Sequence, residues 1–302
     1  MNATDFTVFT ATYNRANKLS KVYESLCQQT NQNFEWIIID DGSSDNTEDF
    51  IKKLLVKSRF QIKYVKQNNG GKHRAINKGV QMASGELFFI VDSDDHLLPN
   101  SLEIISKYWK QVSSNSQFAG VAGKKIFKNG NDVGDKLKTE ILDCSIIERR
   151  YKFNINGDKA EAILTSVMKK HPFPDYPNEN FCPEGLIWNR ISLEKKIRFF
   201  DEAIYVCEYL EDGLSKNSIR NRKTNSNYTL LLYSELSKNK QVPLFFRLRA
   251  IVNFWRFSFS NGKSFNQKKM MLNNPAFGTI LFPAGFFFHL KDYFFDKVKI
   301  SQ

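Results

Sequence analysis

Short apolar runs recur through the first hundred residues, and each one stops at a cluster of polar or acidic residues. Phe6-Thr-Val-Phe-Thr-Ala-Thr12 is β-branched and aromatic, which predicts a strand. Phe34-Glu-Trp-Ile-Ile-Ile39 predicts a second, Gln61-Ile-Lys-Tyr-Val65 a shorter third, and Leu87–Val91 a fourth. The last has no polar interruption, as expected of a strand covered on both faces inside a parallel sheet. Between the strands the apolar spacing lengthens to that of helices. Leu19, Val22, Tyr23 and Leu26 follow a potential cap at Asn17, and Phe50, Ile51, Leu54 and Leu55 share a face. Asn68-Asn-Gly-Gly71 breaks the chain before a helix over about Lys72 to Ala83, and Pro99 starts another through Trp109. Strand and helix alternating in this way predict parallel strands joined by crossover helices.

That topology brings the strand ends Thr12, Asp40/Asp41 and Asp92–Asp95 to one carboxyl edge, where open α/β sheets bind ligands. Asp92, Asp94 and Asp95 repel one another unless a cation joins them, and an oxygen-rich set favours magnesium or manganese over zinc. Asp41 is placed either to accept from a base or ribose or to close a turn in Asp40-Asp-Gly-Ser-Ser-Asp45. Lys72, His73 and Arg74 stand at a helix start, as a phosphate cradle or as a solvated basic turn. G-x-G-x-x-G after the first strand and G-x-x-x-x-G-K-[ST] are both missing, which disfavours a dinucleotide fold and a P-loop.

The rest of the chain is less regular. Ala119–Gly123 and Ala203–Cys207 read as strand, Lys124–Lys138 as a polar hairpin or loop, and Ala160–Lys170 as helix before the loop from His171-Pro-Phe-Pro to Pro183. Helices are expected over Thr229–Leu236 and Val242–Phe259. Pro275–Leu290 is apolar but interrupted by Pro283 and Gly285, which predicts a shallow interfacial hairpin rather than a span.

Composition adds two constraints. Four scattered cysteines with no C-x-x-C pair make a zinc site or disulfide framework unlikely and fit a reducing cytosol. The beginning of the chain shows no basic and apolar leader pattern, so no signal peptide is expected. The formal charge of +12 is confined to one end: residues 1–215 carry 29 basic and 29 acidic residues, residues 216–302 carry 15 and 3. An anionic membrane surface or nucleic acid would answer that asymmetry. With no nucleic-acid-binding module in the sequence, the membrane is preferred and nucleic acid is not expected.

Taken in order, Thr10-Ala-Thr-Tyr-Asn-Arg15, Asp40-Asp-Gly-Ser-Ser-Asp45, Asn68-Asn-Gly-Gly-Lys-His-Arg-Ala-Ile-Asn-Lys-Gly79 and Asp92-Ser-Asp-Asp95 resemble family 2 glycosyltransferases of the GT-A fold. The resemblance covers residues 6–100 and departs at Ala11, where many relatives have Pro or Thr. It implies a nucleotide-sugar donor, usually UDP-linked, and inverting transfer assisted by a divalent metal. Carried over by position, Tyr13 and Asp41 would contact the nucleoside. Thr12, Arg15, Lys72, Arg74, Asn77, Asp92 and Ser93 would complete the nucleotide-sugar site, and Asp94 would ligate the metal with Asp92 beside it. Relatives also carry a Glu-Asp pair ahead of a helix with Trp and Arg. Phe181-Cys-Pro-Glu-Gly-Leu-Ile-Trp-Asn-Arg190 has that shape with one carboxylate, so Glu184 is the expected general base and Glu211 its alternative. Asp212 stands where relatives often have His, as a further metal or diphosphate-side group.

The expected organisation is an α/β, GT-A-like catalytic domain over residues 1–215, with a mostly parallel sheet and helices on both faces. Its nucleotide half would be 1–115 and its acceptor half 116–215. A helical, basic and aromatic region follows over 216–302. The expected acceptor is a glycan or lipid-linked saccharide, reached from the cytoplasmic, inner face of the cell membrane. A catalytically silent sugar-nucleotide-binding protein is the alternative.

Overall fold

A computed structural model describes residues 4–208 and 218–300. The chain forms two compact units, one of residues 1–174 and 187–211, the other of 175–186 and 212–302.

The first unit is built on a nine-stranded mixed sheet. Its strands are β1 (Phe6–Thr12), β2 (Phe34–Asp40), β3 (Gln61–Lys66), β4 (Leu87–Ile90), β5 (His96–Leu97), β6 (Phe118–Phe127), β7 (Ile141–Cys144), β8 (Lys159–Leu164) and β9 (Lys196–Cys207). They lie in the order β3-β2-β1-β4-β8-β6-β9-β5, with β7 pairing β9 outside that path. The first four are parallel, as the alternation predicts. The other half mixes directions: β8 is antiparallel to β4 and β6, β6 is parallel to β9, and β5 and β7 run antiparallel to β9.

Side chains alternate across the sheet and find helices on each side. Phe6, Val8, Trp36, Ile38 and Phe89 share a buried cluster with Leu19, Val22 and Leu26 from helix Leu19–Cys27. Ile51 and Leu54 of helix Thr47–Lys57 and Leu102 and Ile105 of helix Ser101–Lys110 belong to it too. On the other face Phe9 stacks on Phe88 with ring centres 5.2 Å apart, beneath helix Lys72–Met82. A Cβ on Gly79 would stand 2.3 Å from the Phe9 ring, so only glycine lets that helix lie so close.

One expectation is corrected. Residues 159–164 are strand β8, and helix occupies only Thr165–Lys170. Ala160 and Ala162 favour helix by propensity, but β8 is bonded on both edges and sits against Gly120, where a Cβ would come within 2.1 Å of the Ala162 carbonyl oxygen. Small side chains are what this crowded interior position accepts, and tertiary pairing overrides propensity.

In the second unit, helix Ser226–Lys238 and helix Leu244–Ser258 enclose Leu230, Tyr233, Ala250, Ile251, Phe254, Trp255 and Phe257. Helices Ser218–Thr224, Phe265–Met270, Pro275–Ile280 and Phe282–Ile300 complete it. The expected hairpin over 275–290 is instead one short helix, Pro275–Ile280, and the start of another, Phe282–Ile300. Pro283 falls in the first turn of Phe282–Ile300, where its missing N–H leaves no bond unmade. Gly285 is where that helix crosses its neighbour, since a Cβ there would stand 2.3 Å from Trp255 Cβ.

The loop ahead of Gly185 is fastened to this helical unit. The buried Glu179 carboxylate accepts from the Asn227 and Tyr228 backbone N–H groups, at 2.8 and 3.2 Å, and from the Asn227 side-chain amide at 2.9 Å. It thereby serves donors in the first turn of helix Ser226–Lys238. Asn225 Oδ1 accepts in turn from Asn180 and Phe181 N–H.

Candidate active site

The register of the parallel strands sets the site. Thr12 pairs with Asp40, Asp40 with Lys66, and Phe9 with Ile90, so the turns after β1, β2 and β4 emerge at one level of the carboxyl edge. The convergence expected of Thr12, Asp41 and Asp92–Asp95 is therefore present.

The first two turns lock together. Asn14, in the left-handed region with φ 52°, donates its N–H to Ser43 Oγ at 2.8 Å and accepts from Ser44 N–H at 2.8 Å. Arg15 N–H reaches Thr47 Oγ1 at 3.3 Å. Tyr13 rides on this clasp with about half of its surface exposed (49%), a flat aromatic face at the ligand edge. Thr12 Oγ1 is buried and finds no hydrogen-bond partner among the described residues.

Asp41 is buried, and its carboxylate is occupied. Oδ1 accepts from Gln67 Nε2 at 2.7 Å and Gly70 N–H at 2.9 Å, and Oδ2 accepts from Gly71 N–H at 2.7 Å. Asp41 therefore fixes the glycine loop, where Gly71 takes φ 95° as the helix Lys72–Met82 begins. Arg74 donates to the Gly70 carbonyl. Asn77 uses both ends of its amide on the Phe173 backbone, each at 2.9 Å, so it tethers the His171-Pro-Phe-Pro loop.

Lys72 turns toward the acidic strand end, with Nζ 2.5 Å from Asp92 Oδ1. Burial pushes the Asp92 carboxyl up, but Lys72 and Lys125 together more than reverse it, leaving it below the ordinary value. Asp94 differs: burial and then the Asp92 charge push its pKa up, and Arg15 stands 3.8 Å away. Ser93 between them is buried. Asp95 turns inward, accepting from Tyr205 Oη at 2.8 Å and Glu208 N–H at 2.9 Å. Burial, with the Asp92 charge added, raises its pKa to about 6. The Asp92 N–H also donates to Tyr205 Oη, at 2.9 Å, so one hydroxyl braces the whole turn.

Among the described residues, no group of three or more His, Cys, Asp or Glu side chains is gathered to hold a metal. The site nonetheless fits a divalent cation. Burial first, and the Asp92 charge second, raise the Asp94 pKa, and an added cation would stabilise its charged form. Magnesium and manganese commonly take one or two carboxylates and complete their shells with ligand oxygens and water. Asp94 with Asp92 would supply the protein share.

Glu184 immediately precedes helix Gly185–Ile191, in the second unit. Glu211 and Asp212 lie outside the described residues. Sequence reading missed Tyr205, Lys125 and Glu161. Lys125 stands over the Tyr205 ring at 4.3 Å, and burial raises the Glu161 carboxyl to about 7 despite Lys125 and Arg149 nearby. The inward alternation of β9 was the one available signal for Tyr205.

Strand ends, an ordered glycine loop and a carboxylate turn on one edge of a mixed sheet define a GT-A-type fold. S. aureus TarS, residues 1–349 in complex with UDP-GlcNAc, shares it with a TM-score of 0.64 at 18% identity, over 88% of this chain and 78% of that one. The family model described as Glycosyl transferase family 2 matches residues 7–169, and the chain belongs to that family.

Relatives include glycosyltransferase GlyG of Streptococcus pneumoniae, 34% identical over 64% of this chain and 67% of that protein. Poly(ribitol-phosphate) beta-N-acetylglucosaminyltransferase TarP of Staphylococcus aureus is 36% identical over 46% of this chain and 44% of its own length. An uncharacterized glycosyltransferase of Nostoc sp. is matched over 38% of its length, so the chain spans less than half of these last two relatives.

Proposed function

We propose that the chain catalyses inverting transfer of a sugar from a UDP-linked donor to a glycan or lipid-linked acceptor. The observation that carries the reading is Asp94, held beside the Lys72–Asp92 pair on the same sheet edge as the exposed Tyr13. Tyr13 is assigned to stacking on the base, and Thr12, with its unpartnered hydroxyl, to the nucleoside. Asp41 acts beside them by fixing the glycine loop. Arg15, Lys72 and Arg74 supply positive charge for the diphosphate, and Asn77 holds the loop behind them. Ser93 and Asp92 are assigned to the sugar side, and Asp94, with Asp92 and Asp212 as further ligands, would hold manganese or magnesium.

A bound divalent ion would supply charge neutralisation on the departing diphosphate. Glu184 is assigned as the base, with Glu211 as its alternative. The base accepts the proton of the acceptor hydroxyl, whose oxygen forms the new bond to the anomeric carbon while the diphosphate leaves with the electrons of the old one. The names of relatives support a surface-polymer acceptor: TarP, and the minor teichoic acid biosynthesis protein GgaB of Bacillus subtilis, 26% identical over 80% of this chain and 28% of that protein. The reading includes a peripheral location on the cytoplasmic face of the cell membrane, supported by the basic C-terminal region.

The test is UDP release from a panel of UDP-sugars with and without manganese, beside thermal shifts for the same ligands. Turnover in manganese, reduced about a hundredfold or more in Glu184→Gln, is expected for loss of a general base. Thermal stabilisation by UDP-sugars without any UDP release would replace the catalytic reading with that of a silent binder.

A further inference from the structure

We propose that the outward face of the helical unit rests on an anionic membrane surface, with helix Phe282–Ile300 as its apolar footing. One stripe of this helix is already used. Phe282 packs edge-on against Trp255 at 5.1 Å, and Gly285 permits the close crossing. His289 lies 4.6 Å from the Phe259 ring, and Asp292 forms a two-bond pair with Arg256 at 2.6 and 2.8 Å.

A surface helix with one such stripe ordinarily shows polar residues on the other side. Here Phe287, Leu290 and Phe294, spaced to share a face, are 65%, 36% and 63% exposed, with Phe286 and Tyr293 exposed beside them. Ile280 and Phe277 of the preceding helix are exposed too. Aromatic residues on both sides of one helix call for an apolar environment on both sides.

Charge selects the occupant. Residues 216–302 carry 15 basic and 3 acidic residues, and Asp292 is already neutralised by Arg256. A second copy would bring like charge against like, which opposes association. Anionic headgroups would attract the lysines while acyl chains receive the rings. No helix among the described residues is long and apolar enough to cross a membrane, so Phe282–Ile300 lies in the plane of the interface. The inference rests on and deepens the membrane location proposed above, but not on the transfer step: vesicle binding and UDP release can fail separately.

The test sediments the full chain with phosphatidylcholine vesicles, and with the same vesicles containing phosphatidylglycerol, across a salt series. Binding is expected only to the second, weakening with salt. Phe287→Asp with Phe294→Asp should lower partitioning by about a hundredfold through loss of apolar insertion. Lys268→Ser with Lys269→Ser should lower it by about tenfold. Phe287→Ser with Phe294→Ser replaces the first variant if its melting temperature falls. Failure to sediment with anionic vesicles overturns the proposal. So does a dimer that the phenylalanine variant dissociates without vesicles, or salt-dependent binding to RNA in place of lipid.

Discussion

Two acidic turns flank the central strand β1 on the same edge, and the protein treats them in opposite ways. Both Asp41 oxygens accept from a glycine loop that folds over them, and Asp40 is likewise used by Ser43 N–H and Tyr64 Oη. Across β1, Asp92 has a lysine and Asp95 a tyrosine and an amide, while Asp94 keeps a raised pKa with Arg15 at 3.8 Å. Runs of aspartate that look alike in sequence thus divide into a turn that builds the site and a turn poised for a ligand. The donor set makes that division: the Asp41 carboxylate accepts from Gln67, Gly70 and Gly71, while burial and the Asp92 charge leave Asp94 with a raised pKa that an added cation would lower.

The largest effect that could break this contrast is expected at Asp94. Asp94→Asn should cut UDP release by roughly a thousandfold, the several kcal/mol expected of a metal's charge stabilisation, with little change in melting temperature. Near-normal turnover would mean that the two turns do not differ in function.

Next comes pH, through Asp95. Its folded pKa of about 6 lies above the ordinary carboxylate value near 4, so between those values the folded state holds a proton that the unfolded state has released. Stability therefore falls as pH rises across that window, by on the order of 3 kcal/mol. The raised Asp94 pKa adds the same sign. Urea titrations of the parent and Asp95→Asn should show the fall in both, smaller in the second by about the Asp95 share, with Asp94 and Glu161 carrying the remainder.

The smallest of the three effects sharpens the other side. Asp41→Asn should cost about 2 kcal/mol without any ligand, as expected when a buried charged acceptor of N–H groups is removed. An unchanged melting temperature with weakened UDP affinity would make Asp41 a nucleoside contact first and a loop anchor second.

The parallel half of the sheet was legible because Phe6–Thr12, Phe34–Ile39 and Leu87–Val91 bury both faces and so read as continuous runs. Their ends carried the site with them, since parallel strands align their carboxyl termini. Strand β8 was hidden because alanine, lysine and glutamate look helical, and only its neighbours decide otherwise. Tyr205 and Lys125 were hidden for another reason: their partners lie more than thirty residues away, and strand order, which brings β9 beside β5, is not written in local periodicity. Asp41 was found as a strand-end acid, but its donors were not, because they depend on how the Asn68–Gly71 loop folds back over it.

The clasp between Glu179 and Asn227–Tyr228 has a consequence for synthesis. The segment that bears Glu184 leaves the ribosome about fifty residues before the helix whose donors it serves. Until then Glu179 has no helix end to serve, so this clasp forms only after helix Ser226–Lys238 has been made. No single cut separates the two units, because the second one owns a piece from inside the first. A chain halted near residue 215 would lack the helix that holds Glu179, five residues ahead of the proposed base.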